Sequence, residues 1–130
     1  FVVVADCTLP RASHFRPQIR AMARDASCVF GAAVVSRQRG GDPDALSIRV
    51  FVDGKEVQSA STADHVRSAA RLIAEVSDFM TLKPGDVLLT GSAPDGARVG
   101  VGARIAIEIG GVGRLETHVA LSDRDCRISA

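Results

Sequence analysis

Several side chains in this sequence have the types and spacing to handle a small ion. Thr90-Gly91-Ser92 sets two hydroxyls around a glycine, directly after the apolar run Val87-Leu88-Leu89. Strand ends that open into glycine-rich loops bring backbone N–H groups to small anions. The plainer reading of the same residues is a strand followed by a flexible loop. Asp6 closes the run Phe1-Val2-Val3-Val4-Ala5. An acid in that place is either a turn residue bonding its own backbone or a ligand aimed into a site. Arg11, Arg16, Arg20 and Arg24 form a basic stretch with His14. It reads either as a solvated arginine-rich loop or as a clamp for substrate carboxylates, which the guanidinium fork suits. Asp42-x-Asp44 imitates a metal pair, but it lies in the breaker-rich stretch Arg37 to Asp44 and reads as part of an exposed connection.

The elements that must position these groups follow from periodicity. Phe1 to Ala5 reads as a strand, and Ala32 to Val35 as a short strand entered from a loop around Gly31. Ile19, Met22 and Ala23 share a face of a short helical segment after Pro17. Leu46, Ile48, Val50 and Val52 alternate with Ser47, Arg49 and Phe51, the pattern of a half-buried strand. Asp53-Gly54 then turns the chain into a partner strand from Lys55 to Gln58. Val66, Ala69, Ala70, Ile73, Val76 and then Phe79 or Met80 recur at helical spacing, with Thr62 or Asp64 as N-cap. His65 falls in the first turn of that helix and reads as exposed. Lys83-Pro84-Gly85-Asp86 is a turn, and Val87 to Leu89 reads as a strand covered on both faces. Val99-Gly100-Val101-Gly102 lacks the strand-to-helix setting of a dinucleotide fingerprint. Ile105, Ile107 and Ile109, the turn Gly110-Gly111, and Leu115, Thr117 and Val119 make a second hairpin.

Composition narrows the classes. The chain has 130 residues, 46% hydrophobic and 24% charged, the make-up of one globular domain with a real core. A net charge of +1 gives no basic excess for nucleic acid. Trp and Tyr are absent, which disfavours a base-stacking or sugar-stacking platform. No apolar run approaches the roughly 20 residues of a membrane helix, and no signal-peptide pattern opens the chain. Cys7, Cys28 and Cys126 have spacing that fits neither a disulfide framework nor a zinc site, so a reducing cytoplasmic setting is expected. Phe1 opens the chain inside an apolar run, as if the strand were entered midway.

The order strand, acid, long loop, Asp-Gly hairpin, helix, FMTLKPGDVLLTG, glycine loop and IEIGGVGRL hairpin resembles the catalytic domain of the fumarylacetoacetate hydrolase superfamily. Asp6-Cys7-Thr8-Leu9-Pro10, Ser13-His14-Phe15-Arg16-Pro17 and Arg24-Asp25 are similar to its homoprotocatechuate-degradation branch of decarboxylases and isomerases. The resemblance implies a mainly β fold with one clear helix (α+β), a mixed β-sandwich roll, usually as a homodimer. Residues 1–120 would be the catalytic domain, lacking its upstream part, and residues 121–130 a tail. It implies one Mg²⁺ or Mn²⁺ held by a Glu-x-Glu pair and an aspartate, the latter matching Asp6. The ion would polarise the C1–C2 oxygens of a small 2-oxo or 2-hydroxy dienoic dicarboxylate on the way to an enolate. Arg16 or Arg24 would hold one substrate carboxylate, and Thr90, Gly91 and Ser92 the other, with Ser92 standing where threonine is usual.

The sequence departs from that pattern twice. Its glutamates are Glu56, Glu75, Glu108 and Glu116, so it contains no Glu-x-Glu; the pattern would need one upstream of Phe1. The family's site lysine corresponds to Met22, which offers neither charge nor a proton. The leading reading is therefore a metal-dependent decarboxylase, isomerase or C–C hydrolase of aromatic catabolism. The competing one is a degenerate or truncated, inactive member serving as a structural or dimerisation half. A generic β-rich binding module would require the FMTLKPGD resemblance to be accidental.

Overall fold

A computed structural model of the chain describes residues 1–9, 19–92 and 96–121. Two antiparallel sheets dominate it. β1 (Val4–Asp6) and β2 (Cys28–Phe30) form a two-stranded ribbon. β3 (Ser47–Val52), β4 (Lys55–Ser61), β5 (Arg104–Ile109) and β6 (Gly113–His118) form a four-stranded sheet in the order β4-β3-β5-β6. α1 (Ile19–Met22) and α2 (Arg37–Gly40) are single turns in the connections, and α3 (Ala69–Phe79) is the one longer helix. The mainly β organisation with one clear helix is the one that the patterning predicts.

Local chemistry explains the sheet. Asp53 and Gly54 take φ of 50° and 82°, the two positive values a tight turn between twisted strands demands. Arg104 N donates to Asp53 Oδ1 at 2.9 Å, tying that turn to the start of β5. Across β3 and β5 the register pairs Ile48, Val50 and Val52 with Ile109, Ile107 and Ile105, so one face is uniformly aliphatic. The opposite face pairs Arg49 with Glu108. There Arg49 bonds Glu108 at 2.6 Å, Arg114 bonds the same carboxylate, and both guanidinium groups lie 5.6 Å from the Phe51 ring.

The ribbon covers the aliphatic face. Val3 and Ala5 pack with Val112 and Leu115 in the buried cluster, with Ile107 and Ile109 against it. Side chains alternate along a strand, so burying Ala5 turns Asp6 to the other side. Asp6 is accordingly exposed, opposite Cys28 in the ladder.

Four expectations need correction. The strand expected at Ala32 to Val35 instead spans Cys28–Phe30, where the register with β1 is complete; beyond it Gly31 N and Val35 N bond Val3 O and Phe1 O. β4 continues to Ser61, and a 3₁₀ turn over Thr62–Asp64 follows. The N-cap of α3 is Ser68, whose Oγ accepts from Arg71 N at 3.2 Å, and not Thr62 or Asp64. Starting the helix there brings Ala69, Leu72 and Val76 to its half-buried side and leaves Ile73 50% exposed. Val87 to Leu89 forms no strand among the described residues, and Val87 and Leu89 are exposed. An extended apolar run becomes a strand only with a ladder partner for its backbone groups.

The aspartate pair of the 37–44 connection is accounted for without an ion. Asp42 Oδ1 accepts from Asp44 N at 3.0 Å, an Asx turn, while Asp44 Oδ1 accepts from Ala69 N at 2.7 Å. Asp44 therefore helps to cap α3. No helix of the described residues is long and apolar enough to cross a membrane. The tail expected at residues 121–130 lies outside the described residues from 122 onward.

Candidate functional site

Asp6 and Arg24 occupy the same end of the ribbon. The ladder ends at Asp6 opposite Cys28, and Cys7 N extends the pairing by donating to Ser27 O at 2.8 Å. Ser27 also closes the turn from Arg24: its N and Oγ donate to Arg24 O at 3.2 and 2.8 Å. Leu9 N bonds Ala21 O at 3.0 Å and brings α1 against the segment leaving β1. Met22, the last residue of α1, is partly exposed, and Arg24 is half-buried. Arg16 lies outside the described residues.

The thiol beside Asp6 reports the local electrostatics. Burial pushes the Cys7 thiol up, and the neighbouring Asp6 and Cys28 push it the same way. Both Cys7 and Cys28 are free thiols.

Thr90, Gly91 and Ser92 form a separate, exposed segment. The turn before it is built as the residues predict: Lys83 N donates to Asp86 Oδ2 at 2.7 Å, and Asp86 N donates to Lys83 O at 3.0 Å. Gly91 takes φ of 120°, a conformation that side-chain-bearing residues rarely adopt. A Cβ placed on it would lie 3.9 Å from Nε2 of His65. Among the described residues no hydrogen bond or ion pair joins this segment to Asp6. The structure thus places Asp6, Met22 and Arg24 at one end of the ribbon, and Gly91 beside His65.

His65 is the neighbour that the periodicity misplaces. It is half-buried and lies before α3, not in its first turn. The usable signal was Ser68, a second residue of N-cap type that moves the helix start past the histidine.

These residues do not by themselves fit a divalent cation. Among the described residues no three His, Cys, Asp or Glu side chains converge to hold one. A lone carboxylate falls short of the several oxygen ligands that Mg²⁺ or Mn²⁺ takes.

Comparison with known proteins places this architecture. The chain is 36% identical over 111 residues to the 4-hydroxyphenylacetate degradation bifunctional isomerase/decarboxylase of Salmonella dublin, covering 85% of this chain and 26% of that protein. Maleylpyruvate hydrolase from Sphingobium sp. SYK-6, solved with manganese(II) and pyruvate, superposes with a TM-score of 0.75 at 32% identity over 81% of this chain and 40% of its own. The 2-hydroxyhepta-2,4-diene-1,7-dioate isomerase from Mycobacterium marinum gives 0.71 at 32% identity over 78% and 39%. The chain thus spans about a quarter of the length of the curated isomerase/decarboxylases it matches. The model of the fumarylacetoacetate (FAA) hydrolase C-terminal family matches residues 1–120, and with that strand, hairpin and helix order the chain belongs to the fumarylacetoacetate hydrolase family.

Proposed function

We propose that the protein is an enzyme acting on a small 2-oxo or 2-hydroxy dienoic dicarboxylate of aromatic catabolism, as a decarboxylase, an isomerase or a C–C hydrolase. The observation that carries this reading is the family match over residues 1–120, together with relatives whose own activities are isomerase, decarboxylase and hydrolase. Residues 1–120 form the catalytic unit and residues 121–130 a tail. The cytoplasm and a homodimer are its proposed setting.

Each group then has a task. Thr90 and Ser92 donate hydroxyl hydrogen bonds to one substrate carboxylate beside the open backbone of Gly91. Arg24, with Arg16, clamps the other carboxylate; two parallel N–H donors from one guanidinium fix its orientation as well as its charge. Asp6 is proposed as one ligand of Mg²⁺ or Mn²⁺, a reading supported by the manganese in the Sphingobium hydrolase. Since the described residues do not complete such a site, no step is assigned to the ion. Met22, in the place of the family's lysine, supplies no proton. General acid–base help of that kind is typically worth about 10²–10⁴-fold, so turnover is expected to be slow.

The competing reading, a catalytically inactive member that contributes structure or a dimer surface, is favoured by Met22 and by the missing metal ligands. Loss of ultraviolet absorbance from 2-hydroxyhepta-2,4-diene-1,7-dioate, with product identification, separates the two. Slow conversion is expected, with KM raised in Thr90→Val. No conversion of this or a related tricarboxylate by a full-length protein that carries a Glu-x-Glu pair, with Met22→Lys equally silent, would favour the inactive reading.

A further inference from the structure

The turn between β4 and α3 is held at both ends, and His65 is the side chain it presents to the glycine segment. On the β4 side Thr62 is buried, its N donates to Leu46 O at 2.9 Å and its Oγ1 accepts from Leu46 N at 2.8 Å. Ser61 Oγ accepts from Ala63 N at 3.1 Å, and His65 N donates back to Thr62 O at 3.2 Å. On the helix side Ser68 and Asp44 take up the first N–H groups of α3. Between these anchors His65 has an ordinary extended backbone, φ −68° and ψ 135°, so its placement needs no strain.

The ring lies against the one residue of the Thr90–Ser92 segment that has no side chain. Its Nε2 is 3.9 Å from the point a Gly91 Cβ would occupy, ordinary van der Waals contact, so the ring stands beside the Gly91 backbone. Among the described residues no hydrogen bond engages either ring nitrogen. An imidazole in any protonation state has at least one N–H to donate. Gly91 beside the ring belongs to the same three-residue segment as the hydroxyls of Thr90 and Ser92, and hydroxyl, backbone and imidazole N–H donors are the groups that bind a carboxylate. A metal would need further ligands, and none converge there among the described residues.

We infer that His65 is a substrate-binding residue that, with Thr90 to Ser92, holds one carboxylate of the dicarboxylate substrate. The inference rests on the carboxylate role proposed for that segment. It adds a directional donor from a different element, fixed independently of the loop it faces. His65 thereby selects substrates that carry a second carboxylate.

The test joins a binding readout to a kinetic one. Glutarate, a plain dicarboxylate, is titrated into the ¹⁵N-labelled protein while the imidazole resonances are followed. KM and kcat for the dienoic diacid are measured in the wild type, His65→Ala and His65→Gln. A saturable shift of the His65 ring is expected, with glutarate affinity lowered roughly 10–100-fold in His65→Ala, the span of one hydrogen bond to a charged group. His65→Gln, which keeps an N–H donor, should recover part of that affinity, and KM should rise while kcat changes little. A His65 ring that stays unmoved while glutarate binds, or a KM untouched in His65→Ala, overturns the inference and leaves the proposed enzyme standing. A shifting His65 in a protein that converts no dienoate supports the carboxylate subsite and overturns the catalytic reading. Neither binding nor conversion overturns both.

Discussion

The four-stranded sheet and the α3-to-Ser92 segment carry similar proportions of aliphatic side chains, yet they end in different states. In the sheet each aliphatic residue of β3 has a cross-strand aliphatic partner, and the ribbon buries Leu115 to 7% exposure. In the second region no residue of α3 is buried; Phe79 remains 76% exposed and Leu89 48%. The difference lies in whether a covering partner is present. The hairpins at Asp53-Gly54 and Gly110-Gly111 form locally, and distant elements then complete the packing, β5 against β3 and the ribbon against Leu115. The apolar side of α3 and the run Val87 to Leu89 gain no such cover among the described residues.

That contrast predicts unequal responses to the same deletion. Leu115→Ala removes a side chain from the packed cluster and should cost about 2–5 kcal/mol. Ile73→Ala, in spite of its mid-stripe place in the sequence, should cost less than about 1 kcal/mol because half of it is already in water. Urea melts of the two variants measure this directly. Equal losses would mean that α3 is as well covered as the sheet.

A smaller effect isolates the start of α3. Ser68→Ala removes the side-chain acceptor for Arg71 N and should cost about 0.5–2 kcal/mol. Helical circular dichroism on heating should fall earlier for this variant than for the wild type. Unchanged melting would show that Ser68 is not the cap.

The smallest effect is a pH dependence on the exposed side of α3. The Arg71 hydrogen bond, with the charges of Arg67 and Arg71 alongside, holds the Glu75 carboxyl below the usual glutamate value. A group depressed in the folded state stabilises above its unfolded pKa and loses that contribution as pH falls through the folded one. The wild type should therefore lose slightly more stability than Glu75→Gln as pH is lowered through and below the ordinary glutamate range. Parallel stability curves would show the pair to be idle, a common outcome for exposed ion pairs.

What the sequence made legible divides along the same line. The two hairpins and the tight turn at Lys83 to Asp86 follow from period-two alternation and turn residues, all of them local. The inward face of α3 followed only in part: Ala69 and Val76 of the expected stripe are half-buried, while Ala70, Ile73 and Phe79 are exposed. Ala70-Ile73 and Ala69-Leu72-Val76 are stripes one residue apart, about 100° around the helix, and only the cap at Ser68 and the packing choose between them. Val87 to Leu89 has strand composition, but composition supplies no ladder partner. Setting the helix start at Thr62 or Asp64 makes His65 read as an exposed first-turn residue, whereas it belongs to a pinned turn beside Gly91. The family resemblance names Asp6, Arg24 and Thr90 to Ser92 as candidates, and the fold sets Asp6 and Arg24 at one end of the ribbon and Gly91 beside His65.

Asp6 is the residue on which the catalytic reading most depends, and Met22 the one on which its slowness depends. The most direct measurement is the initial rate of dienoate loss for the wild type, Asp6→Asn and Met22→Lys under one set of conditions with Mn²⁺ present. The catalytic reading predicts slow wild-type turnover, none measurable in Asp6→Asn, and a gain in Met22→Lys that does not exceed the roughly 10²–10⁴-fold of an added general acid or base. An Asp6→Asn variant that turns over at the wild-type rate would contradict it.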